Sequence, residues 1–218
     1  MEPPTSSEGV RAVLRGIRRT IGAAKQCKSP ATADLLMLCP DSLIGRRARA
    51  LLALGFAGAF RRSELVALEI ADITEVPDGL RVRIRRSKTD QEGEGQEIAI
   101  PRGYRLRPVD ALTTWLAAAG ITTGPIFRPV RKGGRVSAAR LSAFSAAEIV
   151  KHYARGAGLD PASFAGHSLR AGFCTSAAEA GASVFKMMEV SRHKSVDVLR
   201  GYVRRADLFR EHAGSAFL

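Results

Sequence analysis

The stretches AGHSLRAGFC (165–174) and VSRHKSVDVLRGYV (190–203) decide how the rest of this chain is interpreted. They contain four side chains that can carry chemistry: His167, Arg170, His193 and Tyr202. His167 and Arg170 are three residues apart, a spacing that places both on one face of a helix. Two imidazoles, a guanidinium and a phenol so close in sequence suit a phosphodiester better than a metal ion.

The charge of the chain indicates a polyanionic partner. Its 218 residues include 34 Lys and Arg against 21 Asp and Glu, which gives a net charge of +13. Each phosphate that Lys or Arg neutralises releases condensed counterions, so this surplus favours binding to nucleic acid. A basic surface that serves only solubility is the alternative. Membrane binding is disfavoured because no apolar run approaches the roughly 18 residues that a span requires.

Residues that bind metals or nucleotides are not clustered in the sequence. Three cysteines and four histidines are scattered without CxxC or HxxxH spacing, and neither a GxxxxGK loop nor a GxGxxG motif occurs. We therefore expect no metal and no cofactor. The dispersed cysteines and the absence of a recognisable secretory signal predict reduced thiols in the cytoplasm.

Hydrophobic spacing divides the chain into two parts. Residues 8–21 place apolar side chains at helical spacing and arginines on the other face, which predicts a basic amphipathic helix. A polar stretch containing Gly and Pro follows and is typical of a linker. We expect residues 1–31 to form this helix and linker, and residues 32–218 to form the main domain.

The main domain is predicted to be mainly α with a small antiparallel β-sheet, an α+β fold. Residues 46–56 are strongly apolar and predict a helix at the centre of the core. Apolar and basic residues alternate over 80–85 after a Pro-Asp-Gly turn, which predicts a hairpin with a basic outer face, and residues 96–100 return as a third strand. Further helices are predicted at 32–39, from Ser63, and at 108–120, 141–155, 168–180, 184–189 and 196–203, with Trp115 in the core, a short basic hairpin at 127–136 and helical turns at 207–212.

Other side chains also suit phosphate chemistry, although each has a simpler explanation. Arg61 and Arg62 stand beside an apolar helix, where a guanidinium is costly unless it is paired or oriented. Simple pairing with Glu64 is one explanation, and a phosphate clamp that Glu64 holds in place is the other. Lys88 is either a solvated turn lysine or a donor at the tip of a basic hairpin. Tyr202 is either a half-buried ring or a nucleophile that neighbouring cations activate.

Together these features resemble the tyrosine recombinase (phage integrase) family, in particular its Xer-type catalytic domain. In order along the chain stand a GxRxSELxxL-like box (GAFRRSELVAL), a lysine in a β-hairpin (RRSKTDQEG), an HxLR box (HSLR), a second histidine and a tyrosine. The 23 residues from Arg170 to His193 and the 9 from His193 to Tyr202 match the family's spacing. The resemblance covers about residues 32–218.

The resemblance implies a site-specific enzyme that breaks and rejoins double-stranded DNA. Arg61 and Arg170 would hold the scissile phosphate and stabilise its transition state. Lys88 would protonate the departing 5′ oxygen. Tyr202 would attack and form a 3′-phosphotyrosine, a link that conserves the bond energy, so neither ATP nor a metal is needed.

The two histidines complete the implied site. His167 would assist proton transfer at the tyrosine or orient the phosphate, and His193 would hydrogen bond to a non-bridging oxygen. Before His193 the chain has Ser191-Arg192 where the family usually has Leu-Gly, and we interpret this change as tolerated. Relatives also carry a helical core-binding domain before the catalytic one; residues 1–31 are too few for it and resemble its tail.

Three functions are compatible with the sequence: an active recombinase, a catalytically silent DNA-binding integrase remnant, and a type IB topoisomerase-like enzyme that relaxes DNA. The resemblance also implies a homo-oligomer, a tetramer on DNA assembled through the C-terminal tail. The apolar residues 216–218 either dock on a neighbouring protomer or fold back on their own domain. We expect the protein in the cytoplasm of a bacterium or phage host, associated with the nucleoid.

Overall fold

The computed structural model describes residues 38–85, 95–164 and 167–206. These residues form seven α-helices and one three-stranded sheet, which confirms the mainly α fold with a small antiparallel sheet. In chain order the elements are α1 Leu43–Ala57, α2 Arg62–Ala67, β1 Ile73–Val76, β2 Gly79–Ile84, β3 Gln96–Pro101, α3 Pro108–Ala119, α4 Ala143–Gly156, α5 Ser168–Glu179, α6 Val184–Ser191 and α7 Val196–Ala206. Short 3₁₀ turns lie at Ile70–Asp72 and Pro161–Ser163.

Helix α1 is the centre of the core, as its apolar sequence predicts. It begins after Ser42, whose hydroxyl accepts a hydrogen bond from the Gly45 amide at 3.2 Å and so satisfies one of the free donors of the first turn. Leu51, Leu52 and Leu54 are completely buried. The helix packs against α2, α3, α4 and α5, and therefore fixes the positions of most other helices.

The sheet has the three strands and the basic face that the alternating sequence predicts. Strand β2 lies between β1 and β3, and both pairings are antiparallel. Leu80 lies opposite Ile100 and Val82 opposite Ile98, with all four side chains buried. The intervening arginines of β2 are exposed. The tip of the β2–β3 hairpin, with Lys88, lies outside the described residues.

Helix α5 joins the main core to a smaller apolar cluster. Buried residues of α5, α6 and α7 form that cluster: Cys174, Ala178, Met187 and Leu199. At its other face α5 packs on α1, where Leu169 approaches Gly55 so closely that a β-carbon at Gly55 would lie 2.6 Å from the leucine side chain. This close approach brings the start of α5 to the end of α1.

Most of the other sequence predictions are confirmed. Trp115 is completely buried and donates from its indole nitrogen to the Ile126 carbonyl at 2.9 Å. The short basic hairpin is present, with the Arg131 amide bonded to the Arg135 carbonyl at 2.8 Å. The helix predicted at 32–39 is wrong at its end, because Leu38 lies in a turn that leads into Pro40, and proline disfavours a helical residue before it.

Several predictions fall on residues that the structure does not describe. They are the helix at 8–21, the boundary near residue 32, the start of the helix at 32–39 and the turns at 207–212. Within the described ranges, no helix is both long and apolar enough to cross a membrane.

We expect Leu52→Ala to destabilise the fold by about 2 to 5 kcal/mol, because it removes buried methyl groups and leaves a cavity in the central helix. Urea unfolding followed by circular dichroism measures the change. The matched control is Ile44→Ala in the same helix; Ile44 is 51% exposed, and we expect a change of less than about 1 kcal/mol. Equal losses in the two variants would contradict a core centred on α1.

Candidate active site

A tight turn after α1 presents the first arginine of the site. The Gly58 amide ends the helix by donating a hydrogen bond to the Leu54 carbonyl, and the Phe60 amide donates one to the Gly55 carbonyl. Between them Ala59 has a φ of 45°, a left-handed conformation that is uncommon without glycine. The turn leaves Arg61 at the N-cap position of α2 and points the carbonyls of residues 58 and 59 toward α5 and α6.

Glu64 is the acceptor that organises this region. Its carboxylate accepts from the Arg61 amide at 2.9 Å, from Arg61 Nη1 at 2.5 Å and from Arg192 Nη2 at 2.9 Å. The side chains of Glu64 and Arg192 are each 2% exposed. Burial raises the pKa of Glu64, but Arg192 and Arg61 outweigh it and hold the pKa below its usual value. Glu64 is therefore ionised and joins two arginines.

Arg170 enters the same cluster from the first turn of α5. It is 5% exposed, and its Nη1 donates to the Ala59 carbonyl at 3.0 Å. Burial, together with the neighbouring charges of Arg61 and Arg192, lowers its pKa to about 10, so the guanidinium stays charged at neutral pH. Its buried Nη2 has no hydrogen-bond partner among the described residues. The contact of Nη1 with the Ala59 carbonyl thus holds Arg170 against the turn after α1.

Arg192 belongs to the cluster, which the sequence did not predict. Its backbone is left-handed, with a φ of 58° at the end of α6. Its Nη1 donates to the Gly58 carbonyl at 2.9 Å and its Nη2 to the Ala59 carbonyl at 3.0 Å, while the guanidinium carbon lies 5.3 Å from the centre of the Phe60 ring. The sequence contains one indication of this role in the cluster: Arg192 is a charged residue at a position where the family usually has glycine.

Both predicted histidines are electrostatically coupled to the arginines. Burial, followed by Arg170 and Arg61, lowers the pKa of His193 to about 4. Burial, followed by Arg62 and Arg170, also lowers the pKa of His167, which precedes α5. The Nδ1 of His193 lies 2.8 Å from the Ser191 hydroxyl. Both imidazoles are therefore neutral at pH 7.

The structure brings together most of the predicted site. Arg61 and Arg170 lie close enough to both His167 and His193 for their charges to lower the pKa of each imidazole. Tyr202 is half-buried on α7, against the apolar cluster shared with α5 and α6. Lys88 lies outside the described residues. No group of three or more His, Cys, Asp or Glu suited to a metal ion occurs in the described ranges.

The charge of the cluster suits an oxyanion. Arg61 and Arg192 pair with the carboxylate of Glu64, and Arg170 binds the neighbouring Ala59 carbonyl. Three guanidinium groups and one carboxylate give the site a net positive charge in a largely buried environment, where electrostatic interactions are strong. The two imidazoles at its edge are neutral, and each has one ring nitrogen that donates a hydrogen bond and one that accepts. Tyr202 lies on α7, which packs against α5, the helix that carries Arg170.

Two proteins of known sequence are similar to the chain over much of its length. It is 42% identical over 217 residues to the integrase/recombinase xerD homolog of Selenomonas ruminantium, covering 96% of this chain and 64% of that protein. It is 30% identical over 165 residues to the tyrosine recombinase XerC of Syntrophus aciditrophicus, covering 75% of this chain and 50% of that protein. The chain therefore spans about half to two thirds of the length of these relatives.

Solved structures share the fold. The XerH site-specific recombinase bound to palindromic difH substrate, in a post-cleavage complex, superposes with a TM-score of 0.66 at 16% identity, over 87% of this chain and 53% of that chain. A lambda integrase dimer bound to a COC′ core site gives a TM-score of 0.58 at 20% identity, over 90% of this chain and 72% of that chain. The sequence model described as "Phage integrase family" matches residues 31–208. This match covers most of the chain, and the chain belongs to the phage integrase family.

Proposed function

We propose that this chain is the catalytic part of a site-specific tyrosine recombinase that acts on double-stranded DNA. The main support is the buried cluster in which Glu64 joins Arg61 to Arg192, and the Ala59 carbonyl joins Arg192 to Arg170. A site of this kind stabilises negative charge that develops on a phosphate in the transition state. The net charge of +13 favours the same partner.

In the proposed reaction the Tyr202 hydroxyl oxygen attacks the scissile phosphorus. The bond to the 5′ oxygen breaks, a 3′-phosphotyrosine forms, and Lys88 gives its proton to the departing oxygen. A 5′ hydroxyl of a partner strand then attacks the phosphotyrosine and releases the enzyme. The number of phosphodiester-type bonds is unchanged, so the exchange requires no external energy source.

The remaining residues hold the phosphate and move protons. Arg61 and Arg170 bind the non-bridging oxygens, and Nη2 of Arg170, which has no hydrogen-bond partner among the described residues, supports this role. The lowered pKa of His167 leaves it neutral and able to accept the phenol proton. When Ser191 donates to Nδ1 of His193, the imidazole proton lies on Nε2, where it is available to a non-bridging oxygen.

The proposal extends to the whole protein and its assembly. Residues 32–218 form the catalytic domain, and residues 1–31 correspond to the end of a core-binding domain. We propose a homotetramer on DNA that assembles through the C-terminal tail, in the bacterial cytoplasm in association with the nucleoid. The lambda integrase structure, which contains a dimer on a core site, supports an oligomer of this type.

A nicked suicide duplex that carries the cognate core tests the reaction. We expect the chain to form a covalent protein–DNA adduct, visible by denaturing electrophoresis, and Tyr202→Phe to abolish it because no oxygen nucleophile is present. Tyr104→Phe is the matched control, since Tyr104 is 99% exposed in a loop. An adduct that persists in Tyr202→Phe would remove Tyr202 from the proposed role.

The same assay separates the two alternatives. DNA binding without any adduct would favour the catalytically silent remnant. Relaxation of supercoiled plasmid without recombinant products would favour the topoisomerase-like activity. Neither result is expected if the chain exchanges strands.

The acid role of Lys88 has its own test. We expect Lys88→Ala to slow cleavage of a normal 5′ oxygen by about 100-fold or more, because the alkoxide needs a proton as it leaves. A 5′-bridging phosphorothiolate needs none, so on that substrate the loss should be much smaller. Single-turnover rates on the two substrates measure the difference, and equal losses would show that Lys88 is not the acid.

The pKa of His193 predicts how stability depends on pH. The imidazole titrates at about 4 in the folded chain against 6.5 as its ordinary value. Between these pH values the unfolded chain binds more protons, so the contribution of His193 to stability is complete above pH 6.5 and is lost as the pH falls toward 4. We expect His193→Asn to make urea stability less dependent on pH in this window. An NMR titration of His193 with a midpoint near 6.5 would contradict the prediction.

A further inference from the structure

We propose that Arg192 is a positioning residue that holds Arg61 and Arg170 in the geometry needed to bind the scissile phosphate. This inference rests on the proposed function, and it assigns a role to a residue that departs from the family pattern. Arg192 is 6% exposed. Both terminal nitrogens of its guanidinium already donate to protein acceptors, Nη1 to the Gly58 carbonyl and Nη2 to the Ala59 carbonyl and Glu64. It therefore acts through its neighbours and not by touching DNA.

One connection runs from Arg192 to Arg61. Both donate to the same carboxylate: Arg192 Nη2 lies 2.9 Å from Glu64 Oε2, and Arg61 Nη1 lies 2.5 Å from Glu64 Oε1. The Arg61 amide also donates to Oε2. Without Arg192, Glu64 would have Arg61 as its only ion-pair partner in the described residues. The ion pair that connects the carboxylate to the end of α6 would then be lost.

A second connection runs from Arg192 to Arg170. Arg170 Nη1 and Arg192 Nη2 both donate to the Ala59 carbonyl, each at 3.0 Å. A carbonyl oxygen has two lone pairs and accommodates both donors. Arg192 Nη1 also binds the Gly58 carbonyl. The guanidinium therefore fixes the turn against which Arg170 rests.

The backbone supports a functional reason for this arginine. Of the three non-glycine residues with positive φ in the described ranges, Ala59 and Arg192 are two, and a hydrogen bond connects them. A left-handed arginine is strained where glycine would not be, and its buried Nε lacks a partner among the described residues. A strained backbone conformation is kept only where many surrounding contacts hold it in place, and such positions are often at functional sites.

The test compares Arg192→Gly, Arg192→Lys and the control Arg107→Gly in single-turnover cleavage of the suicide duplex at saturating DNA. Arg107 also has a positive φ, of 44°, but its side chain is 68% exposed and pairs with Asp110 at the start of α3. We expect Arg192→Gly to slow cleavage by about 10- to 100-fold, a loss typical of misplaced phosphate-binding groups. DNA affinity should change by less than about 3-fold, because the surface contacts to the phosphate backbone remain.

Arg192→Lys should recover part of the rate. A lysine can restore the charge beside Glu64, but it has no planar fork to bind two carbonyls at once. Arg107→Gly, which removes an arginine at positive φ elsewhere in the fold, should cleave like the wild-type chain. Equal cleavage by wild type and Arg192→Gly would overturn the inference.

A methylphosphonate at the scissile position separates positioning from simple destabilisation. This substrate has one neutral non-bridging group, so it depends less on the two arginines. We expect the loss in Arg192→Gly to shrink to less than about 3-fold on it, because the interaction being disturbed is electrostatic. An undiminished loss, together with a lower thermal unfolding midpoint than Arg107→Gly, would mean that Arg192 only stabilises the fold.

Failure of the proposed function gives a different result. A wild-type chain that forms no adduct would contradict recombinase activity, and the role of Arg192 would then be decided by calorimetric titration with inorganic phosphate. Arg192→Gly should bind phosphate at least about 3-fold more weakly than wild type and Arg107→Gly if it positions the anion site. Equal binding by all three chains would overturn the inference.

Discussion

The buried carboxylate of Glu64 is the interaction on which the site depends. Arg61, Arg170 and Arg192 would repel one another in a water-poor environment, and Glu64 offsets this repulsion by pairing with two of them. The carboxylate has little exposure, so removing it would leave buried charge uncompensated. The arginines are therefore held together before any ligand binds, which is the condition for electrostatic preorganisation.

This ion-pair cluster requires a rigid base, and α1 provides it. The helix is buried along most of its length and ends in the turn at residues 58–60, whose carbonyls receive donors from both α5 and α6. The close contact between Gly55 and Leu169 holds α5 against the same helix end. The position of the arginines thus follows from the packing of the core and not from flexible surface loops.

The proposed chemistry uses positive charge and neutral imidazoles. Burial lowers the pKa of both His167 and His193, and the charges of Arg170 and Arg61 lower it further. The cations that would bind a phosphate thus help to keep the histidines unprotonated. A neutral histidine has one nitrogen that accepts and one that donates a hydrogen bond, which suits a proposed reaction with a phenol at one end and a phosphate oxygen at the other. The same arrangement of positive charges therefore supports both phosphate binding and the neutral state of the histidines.

The sequence by itself determined the fold class, the apolar helix that becomes α1 and the basic face of the sheet, and it predicted that Arg61, Arg170 and His193 belong to one site. These followed because hydrophobic period and motif order are local properties of the chain. Only the tertiary structure placed Arg192 in the cluster. Its partners Glu64, Gly58 and Ala59 are more than a hundred residues away in sequence, and no local pattern specifies which distant carboxylate and carbonyls a side chain meets when helices pack.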